Sequence, residues 1–550
     1  TTTTVDVEIL GEDLIETAET FFVDLSTPSP GIAILDAQGL GTINNDDFID
    51  ALGAPIVNVP GEPFNGIQPP DVNGDVGQNF FIQATNSQPG GTQIRIFDKV
   101  TGAQTDSFIL STLAPVGSGV SGFGDPIVLY DDLADRWFLA EFSAAGNDIY
   151  IYISMTSTPT SNPADWTLYT FTAPNFPDYL KFAVWPDGYY MTSNEGGNPP
   201  TYVFDRTNML LGLPARPFQR VTTTPLAGFG FQALTPADVD GPAPPVGSPA
   251  FILRHRDDEA HNVGANDPTQ DFIEIYEYSA DFATPANSTF GLSQTIAISE
   301  FDSDLNGFFS FSAITQPGAT PPLDPLREVI MWRLSYRNMG THEVLLGNMV
   351  TDVTGGDVAG IRWFELRRPP GNTQWSLYQE GTHFIPDGDS RWMGAIAMDD
   401  AGNIALGYSV SGPTTFPSLR YTGRRATDPL GLMTQGEFTI FDGTSSQTSG
   451  VRWGDYFSMS VDPVDGSTFW FTGEYGTGGE WATQVASFRF TQVGTPGGGI
   501  PGGTTISTSD LGDTINGGSG LDTIIGAGGD DLLVGDFDED SIFGGDGADL

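Results

Sequence analysis

The sequence predicts an all-β chain, and three observations predict it. No stretch keeps the apolar period of a helix over a useful length; short runs rich in Val, Ile, Phe, Tyr and Trp recur instead. Glycine (69) and proline (40) are plentiful among the 550 residues and lack a collagen period, so turns come often and strands are short. Apolar residues make up 39% of the chain, with 38 Phe, 16 Tyr and 10 Trp, enough to bury a large core and to exclude general disorder.

Charge narrows the partners. With 70 acids against 21 bases the formal net charge is -49, which repels phosphate backbones and anionic membrane surfaces. No apolar run is long enough to span a bilayer, so neither nucleic acid binding nor membrane insertion is expected. The absence of cysteine excludes disulfides, thiolate metal sites and a cysteine nucleophile. No base precedes Arg95 or follows Arg489, and residues 1–50 and 491–550 carry eleven acids each. Such ends repel themselves unless cations neutralise them, and their regular Val, Ile, Leu and Phe distinguish them from solvated acidic tails.

In the first segment, residues 1–47, Thr2 to Leu10 alternates as a strand, Thr20 to Leu25 reads as another, and Gly41-Thr-Ile-Asn-Asn-Asp46-Asp47 closes the run. Together with Gly11-Glu12-Asp13 and Glu16, this pattern resembles the second half of a Calx-β domain. The resemblance implies part of an Ig-like sandwich with Ca²⁺ held through Glu12, Asp13, Glu16, Asp46 and Asp47. Half a sandwich leaves strand edges open, so completion by an upstream stretch or by self-association into a fibre or array is expected.

Residues 48–494 alternate apolar strands with Gly/Asp/Pro turns. Hairpins read clearly at Ile127–Leu139, Ala183–Met191, Ile396–Ile404 and Met459–Phe471. Turns near Asp75, Asp131, Asp187, Asp257, Asn338, Asp400 and Asp465 recur at roughly constant spacing, which predicts a β-propeller of seven blades, six or eight remaining open. The hairpin at Ser460 resembles the Asp-box turn of sialidase-like propellers with two extra residues, and in those families that turn is structural. Two turns have the alternating oxygens of a calcium loop. In Asp302-Ser-Asp304-Leu-Asn306-Gly307 the twelfth position is Ala313, which excludes a standard EF-hand; Asp71, Asn73 and Asp75 repeat the alternation with Val76 at the turn position. For both, the alternative is an Asx-rich turn capped by its own side chains.

After a Gly/Pro linker at 495–503, residues 504–550 keep a nine-residue period. Asp513, Asp522, Asp531, Asp540 and Asp549 recur with Ile515, Ile524, Leu533 and Ile542 two residues later and with Gly517, Gly526, Gly535 and Gly544 opening each unit. The copy Gly517-Gly-Ser-Gly-Leu-Asp522-Thr-Ile524-Ile resembles the hemolysin-type (RTX) nonapeptide. That resemblance implies a parallel β-roll with Ca²⁺ in its turns, ions bridging aspartates two repeats apart, and an extracellular protein exported by type I secretion. Glycine-permitted turns, hard oxygen ligands and a thin aliphatic core agree with it.

No complete catalytic set is visible. There is no His-Glu-x-x-His or Gly-x-Ser-x-Gly, and the four histidines, 255, 261, 342 and 383, leave few general bases. The densest polar cluster, Arg254-His255-Arg256-Asp257-Asp258-Glu259-Ala-His261, reads as an active-site loop or as a salt-bridged turn. The leading expectation is a secreted, calcium-binding structural or adhesive surface protein. A sialidase-like or other carbohydrate-active hydrolase using the propeller mouth, and a non-catalytic glycan- or protein-binding propeller, are the alternatives. A mouth lined by convergent Arg, Asp/Glu and Tyr favours the enzyme, and a flat or plugged one favours the scaffold.

Overall fold

A computed structural model of the chain describes residues 49–493 except 89–90, 228–232, 262–266, 308–309, 319–320 and 328; beyond that span it describes only the backbone of short strands. The protein is nearly all β and divides into two compact units, residues 52–490 and residues 1–51 with 491–550.

Unit 52–490 is built from four-stranded antiparallel meanders in a propeller-like arrangement. The first comprises Asn73–Val76, Phe80–Ser87, Gly91–Asp98 and Gln104–Ile109, and the second Gly122–Asp131, Arg136–Ser143, Asp148–Ser154 and Trp166–Thr172. The third begins at Asp178–Trp185 and the sixth at Ser390–Met398. The fourth and fifth share one eight-stranded sheet, because their first strands, Thr235–Val239 and Leu334–Asn338, pair in parallel. In the last meander, Ser458–Val461, Phe469–Thr477 and Glu480–Phe488 take their fourth strand, Val57–Pro63, from the other end of the unit. Gly53 N donates to Arg489 O at 3.0 Å beside that closure.

Burial explains the layering. First strands such as Ser390–Met398 and Ser458–Val461 are buried at every position, whereas fourth strands such as Gln104–Ile109 and Thr289–Ser299 are largely exposed. Between meanders lie fully buried indoles, among them Trp137, Trp185, Trp332, Trp363 and Trp392, each contributing about 1.5–3 kcal/mol by burial. First strands of successive meanders also exchange side-chain to backbone bonds: Asn73 Oδ1 accepts from Val128 N at 2.9 Å, Asp75 Oδ2 from Tyr130 N at 2.6 Å and Asp238 Oδ1 from Val184 N at 2.7 Å.

Asp131, Asp187, Asn338, Asp400 and Asp465 sit at hairpins joining first to second strands, as the sequence spacing predicts. Two expected turns differ. Asp75 lies inside the strand Asn73–Val76, because the two-residue alternation of a calcium loop is also the period of a strand. Asp257 follows the second strand of its meander, the first hairpin there being the Pro/Gly-rich stretch 240–249. At the Asp-box-like hairpin, Asp465 Oδ1 accepts from Ser467 N and Thr468 N, both at 2.9 Å, which is a structural role. Among the described residues no helix is long and apolar enough to cross a membrane.

In the other unit, Glu19–Asp24 pairs antiparallel with Gln38–Ile43. Five three-residue strands follow in the C-terminal repeat. Thr505–Ser507, Thr523–Ile525 and Ser541–Phe543 form one parallel sheet, and Thr514–Asn516 with Leu532–Val534 form another, so successive repeats alternate between sheets. Glu12, Asp13, Glu16, Asp46, Asp47, Asp513, Asp522, Asp531, Asp540 and Asp549 lie outside the described residues.

Candidate functional site

Just before or within the first four positions of several first strands lies a residue in the left-handed region: Asp71 (φ 47), Asp125 (φ 47), Tyr179 (φ 55), Met393 (φ 52) and Asp455 (φ 102). Such backbone costs about 1–2 kcal/mol per non-glycine residue. In the second, third and sixth meanders it coincides with a break in register near Phe142, Asp178 and Trp392. A bulge re-aims the side chains it carries.

Four of these strand entries, with their adjoining loops, line a cavity of about 620 Å³, within the usual range of small-ligand pockets, about 300–1,000 Å³. Asp71, Asp125, Asp178 and Asp455 face it together with Tyr179 and Arg452, and Phe123, Phe142 and Phe176 form an apolar side. Phe123 is 63% exposed, which places it at the rim. Phe142 and Phe176 meet edge to face at 4.8 Å.

Asn86 ties the first two entries together. Its Nδ2 donates to Asp71 Oδ2 at 2.5 Å and to Pro69 O at 3.1 Å, while its Oδ1 accepts from Asp125 N at 2.8 Å. Gly124 (φ +126) is required there, since a Cβ would lie 2.2 Å from Asn86 Oδ1. The Asp71 carboxyl hydrogen-bonds Asp125, whose Oδ2 also accepts from the Tyr456 hydroxyl at 2.6 Å. Arg452 spans two further acids: Nη2 donates to Asp455 Oδ2 at 2.5 Å and Nε lies 3.0 Å from Asp324 Oδ2.

Burial governs the charges. It pushes Asp71 well above the carboxylate range, with the negative charges of Asp125 and Asp455 adding to the effect. Burial, reinforced by Asp178, lifts Asp125 to about 6, the bonds from Tyr456 and Asp71 opposing. It lifts Asp455 to about 7, with the Arg452 cation opposing. Two like charges that cannot both ionise share a proton, so Asp71 is the neutral member and Asp125 the carboxylate. Behind the wall, Glu141 lies against two lining glycines: a Cβ on Gly122 would stand 2.0 Å from Glu141 Oε2, and one on Gly91 2.5 Å. Burial raises Glu141 to about 8 although Thr92 Oγ1 donates to it at 2.8 Å.

Of the described residues singled out in the sequence, Asp71 alone lines this cavity. Asn73 Nδ2 donates to Pro126 O at 2.5 Å, and Asp75 ion-pairs with Arg333, so Asp71, Asn73 and Asp75 each engage different partners. In the Asp302 turn, Asp302 Oδ1 accepts from Asp304 N at 2.8 Å, Asp304 Oδ1 accepts from Gly307 N at 2.6 Å, and Asn306 Nδ2 donates to Ser312 O at 2.6 Å; side chains cap the turn. The Arg254–His261 cluster does not line the cavity. Arg254 Nε donates to Glu274 Oε2 at 3.1 Å, and carboxylate oxygens of Asp257, Glu259 and Asp271 come within 4.8 Å of one another. The Asp257 and Asp271 oxygens already accept from Ala260 N, Ser303 N, Asp258 N and Phe301 N at 2.8 to 3.0 Å, as in a locked turn. Sequence reasoning missed Asp125, Asp178, Tyr179, Arg452, Asp455 and Tyr456. The available signal was Gly124-Asp125 and Gly454-Asp455, a glycine and an acid opening apolar strands.

Fold and site together define a propeller-like β protein with a carboxyl-rich cavity. No protein-family model matches the chain, and no curated protein matches it. Solved structures similar to it include Drosophila Semaphorin 1b, extracellular domains 1-2 (TM-score 0.37, 8% identity, covering 80% of this chain and 87% of that one). A polysaccharide lyase, PL25 ulvan lyase, gives TM-score 0.34 at 12% identity over 80% and 96%. The subtype N10 neuraminidase-like protein of A/little yellow-shouldered bat/Guatemala/060/2010 gives 0.34 at 9% over 66% and 96%. Likeness at this level assigns no activity.

Proposed function

We propose that unit 52–490 is a seven-bladed β-propeller whose cavity hydrolyses glycosidic bonds. The observation that carries this reading is the meeting, in one cavity, of a carboxyl that burial pushes well above the ordinary range, Asp71, with a second that ionises at about 7, Asp455, oriented by Arg452. Glycoside hydrolysis needs an acid that protonates the departing oxygen and a carboxylate on the other partner. Asp71 gives its proton to that oxygen as the bond to the anomeric carbon breaks. Asp455 takes a proton from the water that adds to the same carbon, and Asp71 is reprotonated from solvent. Phe123 and Phe176 supply flat faces for the C–H side of a sugar ring. The test is a glycan-cleavage screen with the wild-type chain, Asp71→Asn and Asp455→Asn. Cleavage by wild type and its loss in both variants supports the reading; no cleavage of any glycan, or equal cleavage by the variants, sinks it.

A second reading concerns the ends. The alternation of parallel strands in the C-terminal repeat favours a β-roll that takes Ca²⁺ through Asp513, Asp522, Asp531, Asp540 and Asp549, and with it an extracellular setting. A Calx-β half-domain at the N-terminal end, with Ca²⁺ and self-association, completes this reading of a secreted modular protein. Cell fractionation tests it: recovery in the cytosol contradicts it.

A further inference from the structure

The cavity has too few cations for its acids. Among the described residues Arg452 is the only cation lining it, and Asp324 and Asp455 already hold that guanidinium. Asp178 is half-buried, lines the same space and forms no ion pair among the described residues. Among the described residues nothing donates a hydrogen bond to Asp455 Oδ1, although the residue is only 5% exposed. This buried acceptor belongs to a residue that lines the ligand space, and it lacks a donor.

Resting on the glycan-cleaving reading above, we infer that the sugar taken here carries a free ammonium group, as in a chain of 2-amino-2-deoxy units. A uronate, sulfated or sialylated sugar would add a negative charge to a carboxyl-lined cavity whose described residues include no uncommitted guanidinium to receive it. An ammonium is a compact cation with three donors, which matches what Asp178 and Asp455 lack. Phe123 and Phe176 act in the same direction, since an aromatic face attracts both a C–H surface and a nearby cation. The net charge of -49 draws a polycationic chain from a distance.

The experiment offers the full chain four oligosaccharides of equal length: glucosamine, N-acetylglucosamine, glucose and glucuronate. Binding is measured by calorimetry in two buffers of different ionisation enthalpy and at rising salt, and cleavage is followed in parallel. Glucosamine oligomers are expected to bind at least about tenfold more tightly than the N-acetylated ones, to weaken with salt and to release protons, because an ammonium favours ionised carboxyls. In Asp178→Asn the ratio between the two should shrink toward one. Equal or better use of the neutral or acidic oligomers overturns the ammonium assignment while leaving glycan cleavage intact. If none of the four binds or is cut, both readings fall.

Discussion

The Tyr456 hydroxyl donates to Asp125 Oδ2 at 2.6 Å, so the residue after Asp455 in the last meander steadies an acid of the second. This bond favours the ionised form of Asp125 and opposes the burial that lifts the group to about 6. Tyr456→Phe removes the donor, and the Asp125 pKa rises further. The midpoint of the Asp125 carboxyl carbon resonance, followed in a pH titration, should therefore move to higher pH. The shift should be roughly one pH unit, the scale of one charged hydrogen bond. An unmoved midpoint would show that the Tyr456 hydroxyl does not hold Asp125 in its ionised form.

Asp71→Asn keeps the shape of the side chain and its bond to Asn86 while removing the transferable proton. General acid catalysis contributes about 10²–10⁴-fold, so cleavage of a natural glycan should drop by that order. Aryl glycosides whose leaving group needs no protonation should lose much less. Equal losses on both substrate types would assign Asp71 to folding.

Burial lifts Asp455 to about 7, so activity should climb as pH passes through neutrality, where Asp455 ionises, provided that Asp71, which burial pushes well above the ordinary carboxylate range, still holds its proton. Asp455→Asn should abolish the climb. A rate that is highest at pH 4 and falls steadily toward neutrality contradicts this pairing of roles.

The meander order was legible in the sequence because the hairpins at Asp131, Asp187, Asn338, Asp400 and Asp465 each combine turn residues with flanking apolar strands. The site was not. Asp125 and Asp455 sit far apart in the chain, and only closure of the unit by Val57–Pro63 and the cross-meander bonds bring them to one cavity. Raised carboxyl pKa values also have no sequence signature, since burial produces them. Asp71 was visible as an acid in an alternating run, but Asn73 and Asp75 share that alternation and bond to neighbouring meanders instead.

Gly124→Ala tests how tightly the site depends on its backbone. The new Cβ would lie 2.2 Å from Asn86 Oδ1 at a φ of +126, so either Asn86 or the entry strand must shift. A stability loss of about 1–3 kcal/mol is expected in denaturant titration, with a larger proportional loss of activity because Asp71 and Asp125 separate. Gly146→Ala, at a positive φ with no atom within 4 Å of its Cβ, serves as the control for strain alone and should leave activity near that of wild type.

Glu141 makes stability depend on pH. Its folded pKa of about 8 exceeds the ordinary carboxyl value of 4.5, so between those values the native state holds a proton that the unfolded chain has released. Stability from this group is therefore full below about 4.5 and is lost as pH rises to about 8. Thermal melts of the wild type should fall across that window, and Glu141→Gln, which keeps the acceptor for Thr92, should flatten the fall. Parallel curves for the two proteins would rule out Glu141 as the titrating group.

Chelation separates the two units. In the 52–490 unit many buried carboxylates already have protein cations, as Asp131 has Arg206 at 2.7 Å and Glu343 has Arg368 at 2.7 Å, so removing metal leaves them satisfied. Residues 491–550 have eleven acids and no base. Each Ca²⁺ bound only by the folded repeat stabilises it by about 2.7 kcal/mol when free calcium is 100-fold above the dissociation constant, and its removal also restores carboxylate repulsion. EDTA should therefore raise hydrogen exchange at Thr505–Ser507, Thr523–Ile525 and Ser541–Phe543 first, with the strands Ser390–Met398 and Ser458–Val461 unchanged. Magnesium at equal concentration should not restore protection, because it holds its waters and demands a tighter octahedron than a loose turn offers. Unchanged exchange in the repeat after chelation would falsify calcium as its structural cation, and loss of protection in the first strands instead would place the metal in the propeller.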